Sequence, residues 1–162
     1  PEGDFARGYD RAVNGESSYW VWINRGKESV ALNLKDAADM AVVKNMLAKA
    51  DVLIQNLAPG ATDRLGIGSE QLRKDHPRLI TCDISGYGDE GKLFGMKAYD
   101  LLVQAESGLV AVSGAPGEWG RIGVSVCDIN AGLNALIGIG EGNANKIICF
   151  FRVCTLIQDV IK

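Results

Sequence analysis

The acidic residue with the most chemical promise is Asp128, in the run Val126, Cys127, Asp128, Ile129, Asn130, Ala131 and Gly132. It is the last acidic group before an apolar, glycine-punctuated segment at 133–140 that reads as a buried helix. A carboxylate at a helix N-terminus meets backbone N–H groups that favour its ionised form and keep it available as a nucleophile. The same placement fits an ordinary N-cap, a role that Asp often fills. From this stretch alone the cap is the stronger reading. The weight then falls on the elements that must position Asp128.

Residues 1–18 are polar and rich in turn formers, and read as a connector. Alternation at 29–34 puts Val30, Leu32 and Leu34 on one face and predicts a strand. Asp36 is placed to cap a helix running to about Ala50, with Met40, Val43 and Leu47 at helical spacing. The apolar run at 52–57 fits a buried strand, and Ala58, Pro59 and Gly60 break it. Ser69 caps a short helix that stops before Pro77, and residues 79–84 form a further strand closed by Ser85, Gly86, Tyr87 and Gly88. A helix around 99–106, a glycine-rich connector through Gly123 and the Asp128 helix complete the pattern.

Strands alternating with helices predict an α/β fold, with a parallel, Rossmann-like sheet flanked by helices. In such sheets ligands bind beyond the carboxyl ends of the strands. Those ends carry Lys35, then Gln55, Asn56, Leu57, Ala58, Pro59 and Gly60, then the loop at 85–88. A basic side chain, a carboxamide and glycine-bearing loops on one rim suit a phosphorylated, polar ligand. Neither GxGxxG nor GxxxxGK[ST] occurs, so a dinucleotide fingerprint or a P-loop is not supported.

The bulk numbers narrow the classes. A chain of 162 residues is long enough for one domain. Its net charge of −3 argues against a nucleic-acid binder. No apolar run reaches the roughly 18 residues that would span a bilayer, and the acidic start is unlike a signal peptide. The four cysteines, Cys82, Cys127, Cys149 and Cys154, form no CxxC pair and have a single histidine for company. That predicts reduced, mostly buried thiols, with neither a metal site nor a disulfide framework.

Several blocks together resemble family III CoA-transferases and the related 2-methylacyl-CoA racemases. The first runs from Asn24, Arg25 and Gly26 to Leu34 and Lys35, and the second from Ala50 and Asp51 through Gln55, Asn56 and Leu57 to Leu65 and Gly66. Others are Pro77 to Ile80, Ile84 to Gly88, Lys97 to Ala105 and the Asp128 run, all in the family's order. The resemblance implies a partial large domain of such an enzyme over 19–140, with 141–162 an atypical tail. It implies that Asp128 is the nucleophile, passing through an aspartyl anhydride and an aspartyl-CoA thioester. CoA contacts carried over by position are Leu32, Lys35, Asn56, Leu57, Ala58, Arg64, Lys97, Ala98, Tyr99 and Asp100. Lys35, Arg64 and Lys97 would serve the nucleotide phosphates and face one groove with Asn56.

The substrates so implied are a coenzyme A thioester and a carboxylic acid acceptor, with no tightly bound cofactor, no metal, no nucleic acid and no membrane. Complete members are implied to be homodimers, in the cytoplasm or, in a eukaryote, in mitochondria. The racemase branch needs a histidine where this chain has Tyr99, and His76 sits in a surface context before Pro77. Transferase is therefore expected over racemase. A non-catalytic remnant that binds CoA or a partner chain is the alternative. Beyond Gly140 the resemblance ends, and an apolar, cysteine-bearing stretch at 147–162 reads as a helix stripe of Ile147, Phe151, Cys154 and Ile161.

Overall fold

A computed structural model describes residues 3–141, so the tail reading at 147–161 and the cysteines Cys149 and Cys154 lie outside the described residues. Within them the chain forms two compact units that divide between Met46 and Leu47.

The first unit opens with a single 3-10 turn, Phe5–Gly8, and then helix α1, Ser18–Asn24. Asp10 organises the link between them. Its carboxylate accepts from the Ala12 and Ser18 N–H groups, both at 2.9 Å, and from the Ser17 and Ser18 hydroxyls at 3.2 and 2.8 Å. Those donors hold the Asp10 carboxyl down at about 2, the Ser18 and Ala12 backbone bonds contributing most. Ser17 is the N-cap of α1, accepting from the Trp20 N–H at 3.3 Å. The Arg7 guanidinium stacks over Trp20 at 4.0 Å from the ring centroid.

Helix α2, Ala37–Leu47, is capped as expected, with Asp36 accepting from the Ala38 and Asp39 N–H groups at 2.9 and 3.1 Å. The strand expected at 29–34 does not form. Its alternation survives at its end, where Leu34 is buried and Leu32 half-buried, but Val30 is exposed. A strand exists only where a neighbour completes its ladder. None among the described residues pairs with this segment.

The second unit holds a two-stranded parallel sheet. Strand β1, Val52–Gln55, is followed by helices α3, Ala61–Arg64, and α4, Ser69–Asp75, and by strand β2, Ile80–Asp83. The register pairs Val52 with Ile80 and Gln55 with Asp83. This strand–helix–strand crossover and its flanking helices are the α/β layout the sequence predicts, with two strands in place of three. Gly68, not Ser69, occupies the N-cap of α4. Helices α5, Asp100–Glu106, α6, Leu109–Val112, and α7, Val126–Glu141, complete the unit.

Helix α7 packs on the sheet through its small residues. Cys127, Ala131 and Ala135, one turn apart, are buried, and Ala131 and Ala135 meet Cys82 and Ile84, with Ile139 against the same cluster. Leu133, Leu136 and Ile137 are 52%, 66% and 57% exposed, so the expectation of a wholly buried segment at 133–140 fails. Apolar residues stand on several sides of this helix, so the apolar pattern does not announce its inner face. The short side chains let the backbone approach β2 and turn the large ones outward. No helix among the described residues is long and apolar enough to cross a membrane, and no cluster of metal-ligating side chains is present among them.

Candidate active site

The carboxyl end of the small sheet is cross-braced. Gln55, last in β1, donates its amide to Asp83, last in β2, at 2.8 Å, and its carbonyl accepts the Leu57 N–H at 2.7 Å. One side chain therefore shapes the turn holding Asn56, Leu57 and Ala58. Asn56 and Leu57 are half-buried and Ala58 is exposed. Gly60, at φ 71°, starts α3, and a Cβ there would lie 3.1 Å from Arg64 Nη1. Arg64 thus folds back over the glycine while remaining exposed.

Beyond β2 the loop at 85–88 is tied down twice. Gly88 donates to the Ser85 hydroxyl at 3.0 Å, and the Tyr87 hydroxyl donates to Glu106 on α5 at 2.7 Å. A Cβ on Gly86 would collide with the Ala98 side chain, so the absence of a side chain there is what lets this loop reach the 97–100 block. Lys97 and Tyr99 are exposed, and Tyr99 occupies the N-cap position of α5 without a side-chain capping bond.

Asp128 lies in the first turn of α7, two residues in from its start, and is half-buried. It is not the N-cap: the Ser125 carbonyl accepts the Ile129 N–H at 2.9 Å, placing the cap position upstream. The floor beneath this helix start is apolar, with Val103 and Cys127 buried and Ala98 and Val126 packed on them. Above that floor Asp100 accepts the Cys127 N–H at 2.8 Å. Two elements carrying expected site residues, the 97–100 block and the start of α7, therefore meet directly.

Electrostatics agree with this proximity. Burial foremost, then the charges of Asp100 and Asp128, push the Cys127 thiol above its usual range. That keeps Cys127 a neutral thiol, a poor rival to the carboxylate as nucleophile. The N–H groups of Val126, Cys127 and Ile129 are engaged with Val124, Asp100 and Ser125. Donors for an oxyanion must therefore come from other groups.

The site residues divide between the units. Leu32 and Lys35 belong to the first, where Lys35 is exposed in a turn whose N–H donates to the Asn33 side chain at 3.1 Å. Asn56, Leu57, Ala58, Arg64, 97–100 and Asp128 belong to the second. Sequence reasoning placed Gln55 on the rim but did not foresee its brace to Asp83, and gave no role to Asp83 or Gln104. The signal available for Gln104 was its place one helical turn after Asp100, where a carboxamide can meet a carboxylate.

Comparison with known proteins adds an independent line. The sequence pattern of CoA-transferase family III matches residues 1–142. The chain is 45% identical over 141 residues to an acetyl-CoA:oxalate CoA-transferase of Acetobacter aceti, covering 86% of this chain and 36% of that protein. It is 38% identical to the succinyl-CoA:glutarate CoA-transferase of Mus musculus, over 80% of this chain and 30% of that one. Among solved structures, a CAIB/BAIF family protein from Brucella suis superposes with a TM-score of 0.80 at 34% identity, covering 86% of this chain and 39% of its own. The chain thus spans about a third of the length of the curated relatives it matches.

Proposed function

The chain belongs to CoA-transferase family III, and from that premise we propose that it carries the nucleophile and part of the CoA site of an enzyme moving CoA from an acyl-CoA thioester to a free carboxylate. The observation that carries this reading is the seating of Asp128 in the first turn of α7, hydrogen-bonded through the neighbouring Cys127 N–H to the 97–100 block.

In this mechanism an Asp128 oxygen attacks the thioester carbonyl and the C–S bond breaks. This yields a mixed anhydride and CoA thiolate. The thiolate attacks the aspartyl carbonyl, giving an aspartyl-CoA thioester and releasing the donor acid as its carboxylate. The acceptor carboxylate attacks that thioester, again expelling thiolate, which takes the acceptor's acyl carbon and restores Asp128. Charge balances at every step, so no general base is required. Covalent catalysis of this kind divides one hard exchange into easier ones.

Arg64 and Lys97, both in the second unit, are cations for the CoA phosphates. Ala98 and Tyr99 line its path, and the Asn56–Leu57–Ala58 backbone receives the pantetheine amides. The acceptor is a short dicarboxylic acid, in keeping with the oxalate and glutarate named for the relatives. Homodimer assembly belongs to the same reading. Tyr99, where a racemase would place histidine, leaves α-proton exchange without its second acid–base group.

The test is to incubate the chain with acyl-CoA and hydroxylamine and to map the hydroxamate by mass spectrometry. Label at Asp128, lost in Asp128→Asn, is the expected result. Label elsewhere overturns the assignment. CoA binding with no label at all favours the second reading, a non-catalytic CoA-binding domain.

A further inference from the structure

Gln104 has no exposed surface, yet it carries a carboxamide into the core of the second unit. A buried amide is costly unless its donors and acceptor are satisfied. Here both ends are used. Its Nε2 donates to Asp100 Oδ2 at 2.6 Å, and its Oε1 accepts the Ile122 N–H at 2.9 Å. The amide orientation follows from the partners, since a carboxylate only accepts and a backbone N–H only donates. Asp100 in turn accepts the Cys127 N–H with its other oxygen at 2.8 Å.

The result is a two-point clamp. Ile122 and Cys127 bracket the glycine-containing segment at 123–126 that leads into α7, and both are fastened to one face of α5. Glycine and a helix start would otherwise leave this entry loosely defined. The residue directly after the second anchor is Asp128.

We propose that Gln104 is a positioning residue for transfer: through Asp100 it fixes the entry to α7, and so sets where the Asp128 carboxylate stands when the thioester arrives. This rests on the reading of Asp128 as the nucleophile. It also gives Asp100 a duty inside the protein, with both of its carboxylate oxygens engaged. A reacting group displaced by about 1 Å loses on the order of a hundredfold in rate. Loss of the clamp therefore acts on the chemical step and leaves CoA affinity nearly unchanged.

The experiment uses the full chain and two variants. Gln104→Met keeps the volume and removes both hydrogen bonds. Gln104→Glu sets a second carboxylate against Asp100, and only its protonated form can both donate to Asp100 and accept from Ile122. Amide hydrogen exchange reports the clamp itself. The Ile122 and Cys127 amides should exchange about tenfold faster in Gln104→Met, as expected for loss of hydrogen bonds of ordinary strength.

Hydroxylamine labelling of Asp128 in a single turnover reports its consequence. The rate should fall roughly a hundredfold in Gln104→Met with little change in the acyl-CoA concentration for half-maximal rate. In Gln104→Glu the rate relative to the native chain should recover as pH is lowered, which a packing role alone would not produce. Unchanged exchange at Ile122 and Cys127 overturns the clamp. Faster exchange with an undiminished labelling rate, or no recovery in Gln104→Glu, overturns the positioning role. Absence of label in the native chain instead overturns the catalytic reading, and the positioning role falls with it, while the exchange data still decide the clamp.

Discussion

The two units are held together by different kinds of bond. In the first, side chains serve their own neighbourhood: Asp10 reaches partners two to eight residues away, and Asp39 receives the Asn33 N–H across six. In the second, the bonds that shape the site close long loops. Gln55 to Asp83 spans 28 residues, Asp100 to Cys127 spans 27, Tyr87 to Glu106 spans 19 and Gln104 to Ile122 spans 18. Local bonds form as soon as their short segment does. Bonds across long loops exist only after the chain has met the entropy of closing those loops. The unit that carries Asp128 therefore depends on its whole packing, and the other unit depends on its caps.

Breaking this contrast begins with Asp128. Asp128→Ala should abolish hydroxylamine labelling while leaving circular dichroism and thermal unfolding nearly unaltered, because Asp128 is not the cap of α7. A substantial loss of fold would mean that the residue is structural. Next comes the seam between α7 and β2. Ala135, 3% exposed against Cys82 and Ile84, has no room for a branched side chain, and Ala135→Leu should cost about 1–3 kcal/mol in urea unfolding. If stability were unchanged, the small-residue seam would not be what seats the helix.

Gly86→Ala should cost a similar or smaller amount, with its injury concentrated on the site. Its new methyl meets Ala98, so pairing it with Ala98→Gly should restore both stability and labelling. Failure of the double variant to recover would detach the 85–88 loop from the 97–100 block.

The smallest effect belongs to the first unit. Asp10 titrates at about 2 against an ordinary 3.8. A lowered folded-state value means that its contribution is present above about 3.8 and disappears as pH falls toward 2. Carboxyl NMR should find that low midpoint, and Asp10→Asn should flatten the acid limb of unfolding in that window only slightly, since the group is open to solvent. A midpoint near 3.8 would remove Asp10 as organiser of that loop.

Much of this was legible in the residues. The Asp36 cap, the breaks at Ala58–Gly60 and before Pro77, and the two paired strands are local statements, written in side chains that bond or block their own backbone. The block order resembling family III CoA-transferases led to the same family that the comparisons support. The strand at 29–34 was misjudged because alternation specifies which way side chains point and not whether a partner lies alongside. The burial of 133–140 was overstated because apolar residues stand on several sides of α7 and only one of those sides meets the sheet.

The sequence by itself determined the helices after Asp36, before Pro77, around 99–106 and at Asp128, the two paired strands, the α/β class, the family and the candidate nucleophile, because propensity, capping and motif spacing act over a few residues. Only the tertiary structure decided that Ala131 and Ala135 rather than Leu133 and Leu136 face the sheet, that Gly86 admits Ala98, and that Gln104 joins Ile122 to Asp100. Each of those outcomes depends on what stands opposite a side chain, and burial and hydrogen bonding are settled between segments far apart in the chain.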